Sequence, residues 1–167
     1  LARKPNQTEI INYFLTKGVD VKKADKEGNT PLMNAASGRE TKTVELLLPQ
    51  SNLNAQNNKG ESALTYAVKS GSPEITELLL NKGADINVLD KDGYNLGFYL
   101  VQSYKPQMGR GTEAPKQDPF TAKAKILQEK GLNLATAQKD GNTLYHFAVV
   151  KNDVSLLKNI AFLNIDI

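Results

Sequence analysis

The sequence contains no cysteine and no tryptophan, a single histidine and two methionines among 167 residues. Without cysteine there can be no disulfide, no thiolate metal site and no thiol nucleophile. One histidine, His146, cannot build a multi-histidine metal centre. Long hydrophobic runs are also missing, and nothing approaches the roughly 18 consecutive apolar residues that span a bilayer. Charge of one sign is scarce: 21 Lys and Arg stand against 18 Asp and Glu, for a net charge of +3. That excess is scattered and makes no continuous basic stripe of the kind that tracks a nucleic-acid backbone. A hydrophobic share of 40% with 23% charged residues suits a folded chain with a sizeable core.

What is present is repetition. Thr16–Thr30 reads "TKGVDVKKADKEGNT", Asn81–Asn95 "NKGADINVLDKDGYN" and Glu129–Thr143 "EKGLNLATAQKDGNT". The anchor glycines Gly28, Gly60, Gly93 and Gly141 are spaced by 32, 33 and 48 residues, the last being one unit of 33 with 15 residues added. Each anchor opens a short segment: "GNTPLMNAAS", "GESALTYAVKSG", "GYNLGFYLVQS" and "GNTLYHFAVV". A second apolar segment follows, as in "TVELLL", "ITELLL" and "KAKILQEKG", and "EIINYFLTKG" is another copy ahead of the first anchor.

Thr30 and Thr143 are placed to cap helices, since a hydroxyl there accepts from an orphan N–H, and Pro31 suits the first helical position. Ala35, Ala36, Ala67 and Ala148 allow close helix approach. In the second segment Ile75, Leu78 and Leu79 fall at i, i+3 and i+4, marking one buried face. Lys82-Gly83 ends that helix, the glycine supplying a left-handed residue. "ADINVLDKDG" reads as an extended arm with a tight turn at Asp92-Gly93. Each unit is thus turn, short helix, short helix, extended return. A helix pair this short must stack on copies of itself to bury its apolar face.

This unit resembles the ankyrin repeat, with its period of 33 and T-P-L-H-x-A signature. "TPLMNA" (Thr30–Ala35) keeps Thr, Pro, Leu and Ala, "TLYHFA" (Thr143–Ala148) keeps Thr, His and Ala, "SALTYA" (Ser62–Ala67) keeps Leu and Ala, and "NLGFYL" (Asn95–Leu100) has lost nearly all of it. "LLLNKGADIN" (Leu78–Asn87) preserves the family's closing segment. The resemblance implies a mainly α solenoid of helix-turn-helix units with β-hairpin-like turns. Residues 1–167 are read as one such domain: a partial repeat at 1–24, repeats at about 25–57, 58–90 and 91–138, and an incomplete repeat at 139–167. Both ends cut through a unit, so the expectation is a fragment of a longer chain. The compartment stays open, with cytoplasm placed ahead of export. The resemblance also gives His146 a core role, hydrogen-bonding neighbouring turns.

The third repeat is the irregular one. It carries an insertion near 105–119, within "YKPQMGRGTEAPKQDPF" (Tyr104–Phe120), whose prolines and glycines argue against helix and central strand. Two readings stand: a tolerated surface loop, or an arm that contacts a partner through Tyr104, Met108, Arg110 and Phe120. The same repeat has Gly97 where a helix-packing residue is expected, and the aromatics Tyr94, Phe98 and Tyr99.

No catalytic set is legible. There is no nucleophile paired with a base, and "GRG" (Gly109–Gly111) lacks the strand and third glycine of a dinucleotide site. Acidic residues recur at Asp25, Asp90 and Asp140 by the turns and at Glu45 and Glu77 on second helices, but the lysines interleaved with them read as solvated surface, not a calcium site. The expectation is a non-enzymatic scaffold without cofactor or metal, whose partner is another protein and not a nucleic acid, a membrane or a small-molecule substrate. The resemblance places its binding positions at the turn tips Lys26, Glu27, Asn29, Lys59, Glu61, Lys91, Asp92, Tyr94, Lys139, Asp140 and Asn142. On the first helices it adds Ser37, Lys69, Ser70, Gln102 and Ser103. Tyr94 is the foremost anchor. The alternatives are a substrate-targeting module of a larger enzyme or secreted effector, and a purely structural solenoid.

Overall fold

A computed structural model describes residues 7–18, 20–105, 118–136 and 138–163. Among these, the helices are α1 (Gln7–Thr16), α2 (Pro31–Ala36), α3 (Thr41–Leu47, continued by a 3₁₀ turn at Leu48–Gln50), α4 (Ala63–Lys69), α5 (Pro73–Asn81), α6 (Leu96–Ser103), α7 (Pro119–Glu129), α8 (Leu144–Val150) and α9 (Val154–Phe162). The first helices form one layer, α2 on α4, α4 on α6 and α6 on α8, while α1, α3, α5 and α7 form the other in the same succession. Within each unit the two helices pack as pairs. This is the stacked mainly α solenoid that the repeat period predicts.

Helix starts follow from capping chemistry. The Ser72 side chain accepts from the Ile75 N–H ahead of Pro73, and Asp118 accepts from Thr121 N–H ahead of Pro119. Pro119 and Phe120, read above as insertion, therefore belong to α7. Gly28, Gly60, Gly93 and Gly141 all sit at φ between 79° and 85°, the left-handed region that favours glycine. The four turns share one hydrogen-bond frame: Asp25, Asn57, Asp90 and Gln138 each donate N–H to the carbonyl four residues on and accept from the glycine N–H. The hairpin character is slight, with one isolated bridge, Gln56 to Ser62, and no strand among the described residues.

The core lies between the two layers. Leu32, Leu64, Leu96 and Leu144 from the first helices are fully buried, as are Ile75, Leu79, Leu127, Leu156 and Ile160 from the second. Ala36, Ala67 and Ala148 are inaccessible where helices approach closely. The layer of first helices, together with the turns, presents one continuous face.

Candidate binding surface

The turns are fastened to one another through backbone groups. Asn58 N–H donates to the Glu27 carbonyl at 2.9 Å, Lys91 N–H to the Lys59 carbonyl at 2.9 Å, and the Asn58 amide to the Lys26 carbonyl at 3.0 Å. Lys26, Glu27, Lys59, Lys91, Asp92, Lys139 and Asp140 are exposed along this edge, as are Ser70 and Gln102 on the first helices. Tyr94, Asn142, Ser37, Lys69 and Ser103 are half-buried.

Two expected tip positions do not reach the surface. Asn29 is 7% exposed and Glu61 4%. The Asn29 side-chain oxygen accepts from Asn57 at 2.8 Å and from the Tyr66 hydroxyl at 2.9 Å, while Glu61 accepts from Asn57 at 3.1 Å and pairs with Lys69 at 3.1 Å. Burial alone would raise the Glu61 carboxyl, but the Asn57 amide and the Lys69 ammonium outweigh it and hold it below its ordinary range. Both residues turn inward because they complete a buried polar network, and they tie the first two full repeats together.

The third repeat departs from this plan. In the other units the third residue of the first helix closes a capping box: Met33 with Thr30, Thr65 with Ser62, His146 with Thr143. The equivalent residue in α6 is Phe98, which has no acceptor. The orphaned N–H of Asn95 instead donates across the junction to Gln138 Oε1 at 2.8 Å, and the Gln138 amide returns a bond to Asn95 Oδ1 at 2.9 Å. Phe98 is thereby free to stack on Tyr94, ring centroids 4.1 Å apart and planes 15° off parallel. Phe147 of α8 meets Phe98 edge-on at 5.1 Å and Tyr94 at 6.3 Å, and Phe98 meets Tyr99 at 5.4 Å. The Tyr94 hydroxyl donates to Asp140 Oδ2 at 3.1 Å.

Tyr66, Tyr99 and Phe147 also occupy one register position in successive first helices. Tyr99 is buried and donates its hydroxyl to Asp90 at 2.6 Å, and its ionisation is pushed well up, by burial first and by that bond second. Tyr94, Phe98 and Phe147 remain half-exposed on the first-helix face, beside Val150, which is 83% exposed.

The family model for ankyrin repeats (3 copies) matches residues 1–90. The chain belongs to the ankyrin-repeat family. Zygote-specific protein 3 of Chlamydomonas reinhardtii is 33% identical over 91 residues, covering 54% of this chain and 24% of that protein. An ankyrin repeat protein of Acanthamoeba polyphaga mimivirus is 26% identical over 153 residues, 90% of this chain and 18% of its own length. The nuclear factor NF-kappa-B p105 subunit of Gallus gallus is 26% identical over 152 residues, 89% of this chain and 14% of its own. The chain spans less than a third of the length of each of these relatives. Ankyrin repeats are protein-interaction modules and are typically non-catalytic.

The remaining candidate residues of this ankyrin-repeat chain fall as follows. Met108 and Arg110 lie outside the described residues. Phe120 is 3% exposed and packs edge-on against Tyr104 at 5.5 Å, so it is a core residue of α7 and not an adhesive one. Packing the phenyl ring against Tyr104 removes apolar area from water, which is why it turns inward. His146 is exposed, contrary to the core expectation, and among the described residues its Nδ1 accepts from Thr143 N–H at 3.1 Å and lies 2.9 Å from the Thr143 hydroxyl. Phe98 escapes notice as a surface residue because it occupies the histidine slot that the repeat pattern assigns to structure, and Phe147 because it stands at the x of T-P-L-H-x-A, where the pattern specifies nothing. A ring where every other unit has a capping acceptor is the signal that marks Phe98. Among the described residues no three His, Asp or Glu side chains converge as a metal site, and no helix is long and apolar enough to cross a membrane.

Proposed function

We propose that this ankyrin-repeat chain is a non-enzymatic scaffold that binds a protein partner on the face made by its turn tips and first helices. Binding is centred on Tyr94, Phe98 and Phe147. The observation that carries this reading is the half-exposed aromatic cluster at the junction of α6 and α8, where the third repeat gives up its capping acceptor for a ring. Aromatic residues on a rigid surface supply large contact area at low ordering cost, which is how a few positions come to dominate an interface. A cleft of about 210 Å³ between the first two turn tips, lined by Lys26, Glu27, Asn57, Asn58, Lys59 and Tyr66, is smaller than the roughly 300–1,000 Å³ of a small-molecule pocket and has room for a side chain of a protein partner.

Affinity capture from the source cell, followed by titration of the captured protein, tests this. Tyr94→Ala and Phe147→Ala are expected to weaken binding by ten- to a hundredfold each, as interface anchors do when truncated by about 1.4–3 kcal/mol. Glu45→Gln and Glu77→Gln, at exposed positions on α3 and α5, serve as controls and leave it unchanged. Equal losses from both sets would move the interface off this face. A second reading draws on the much greater length of the relatives. On that reading the repeats target a catalytic part lying elsewhere in the same polypeptide, and an open reading frame holding only further repeats rules it out.

A further inference from the structure

We infer that the aromatic shelf at the junction of the third and fourth repeats receives a cationic side chain, arginine ahead of lysine, carried on a segment of the protein partner. The inference rests on the binding face proposed above and names the chemistry that this face selects.

Three observations converge on a cation. The first is the ring cluster itself. Tyr94, Phe98 and Phe147 lie within 6.3 Å of one another and remain half-exposed, and aromatic faces carry the negative part of the ring quadrupole. The second is the placement of carboxylates around it. Asp92 and Asp140 are exposed on the two adjoining turn tips, and Asp140 Oδ2 sits 3.1 Å from the Tyr94 hydroxyl. The Tyr94 phenol is held above its ordinary range by that bond first, then by burial and by the charges of Asp140, Asp92 and Asp90, so the local field is negative.

The third observation is an arrangement of the same kind one junction earlier. There Lys69 lies 5.5 Å from the centroid of the Tyr99 ring while pairing with Glu61 at 3.1 Å, so ring and carboxylate together hold an ammonium from the chain's own sequence. The next junction offers ring and carboxylate again, but among the described residues no lysine or arginine is placed over Tyr94, Phe98 or Phe147. Lys151 of the fourth repeat is engaged elsewhere, donating to the Val101 carbonyl at 2.9 Å. Lys139 would meet a side chain added at Gly93 with its aliphatic carbons, so its stem lies along the turn. Val150, three residues beyond Phe147 on α8, supplies an apolar ledge for the stem of an incoming side chain. Arginine fits better than lysine because a planar guanidinium stacks on a ring while donating two parallel bonds to a carboxylate. Lys91 and Lys139 on the same tips favour the opposite partner, an acidic segment, and that is the competing outcome.

The test is selection of random dodecapeptides, displayed on phage, against the intact chain at low and at physiological salt. Selected peptides are expected to be enriched in arginine and to lose about tenfold or more in affinity for the Asp92→Asn, Asp140→Asn double variant, an effect on the order of that of one hydrogen bond between charged groups. Both aspartates are exposed and asparagine keeps an acceptor for the turn, so this variant folds, as circular dichroism will verify. Lysine in place of the selected arginine should weaken binding further than added salt does. Acidic or purely apolar peptides that bind the double variant normally but are lost with Phe147→Ala would overturn the inference and leave the proposed face standing. Peptides indifferent to every one of these substitutions, or no selected peptide at all, would count against both.

Discussion

Lys123 carries an ammonium group into a place where water does not reach. It stands on the buried side of α7, 3% exposed, and donates to the Val68 carbonyl at the end of α4, 2.8 Å away. That carbonyl belongs to the last turn of its helix, where intrahelical partners run out, so the lysine acts as a cap supplied by another repeat. Burial lowers the lysine from 10.5 to about 8. A base whose folded pKa is depressed binds fewer protons folded than unfolded between those two values, so stability rises with pH across that window. Relative to Lys123→Met, the native chain should gain about 1–3 kcal/mol between pH 8 and 10.5, read as the difference between two urea midpoint series. The difference matters because Tyr66, Tyr99 and Tyr104 are all held protonated above their ordinary range and act in the opposite sense near the top of the window. Parallel curves for the two proteins would mean that the ammonium is solvated.

At the scale of the element, the junctions between repeats differ in how they are made. Between α2 and α4 the approach is so close that a Cβ added at Gly71 would run into the Ala36 carbonyl oxygen and lie 2.9 Å from Ala67 Cα. Gly71→Ala must push the two repeats apart and should cost about 1–3 kcal/mol, measured by chemical denaturation. Between α6 and α8 the reciprocal Asn95–Gln138 amide pair takes over the work of a capping box. Gln138→Ala leaves the Asn95 N–H without its acceptor in a half-buried site and should cost about 1–3 kcal/mol, whereas Thr30→Ala, which removes a local cap, should cost about 1. A Gln138→Ala effect no larger than the Thr30→Ala one would show that solvent replaces the missing bond. These cases also mark what the sequence can tell. The period, the turn glycines, the cap at Thr30, the N-cap position of Thr143 and the helix end at Lys82-Gly83 are all local patterns, and all were legible. The inward turn of Asn29 and the reach of Lys123 to Val68 depend on neighbours 28 and 55 residues away, through the bonds Asn57–Asn29 and Lys123–Val68. No local pattern carries that information. Phe98 lies between the two: its slot was readable, but the reason a ring could occupy it was Gln138, 43 residues from Asn95.

For the molecule as a whole, stacking without long crossovers makes each repeat answer mainly to its neighbours. Stability in such an array is a sum of repeat and junction contributions, and different segments can open separately. Leu100 of α6 and Leu156 of α9 are both fully buried, so truncation of either to alanine removes the same methyl groups and leaves a cavity costing about 2–5 kcal/mol. Their positions in the stack separate the consequences. Leu100 lies in the third repeat, flanked by α4 and α8, so Leu100→Ala weakens both junctions and should lower amide protection on each side. Leu156 lies in the last described helix pair, where α9 packs on α8, so Leu156→Ala should release 144–163 while 31–81 keep their native protection. Native-state hydrogen exchange read segment by segment distinguishes the two patterns. If Leu156→Ala lowered protection evenly from α2 to α9, the chain would open as one cooperative unit, and the nearest-neighbour account would fail. If it releases only the last pair, the aromatic shelf loses Phe147 and Asp140 loses its anchored turn at the same denaturant concentration. Binding at that shelf should then vanish well before the rest of the stack unfolds, which ties the proposed interface to the stability of the last described helix pair.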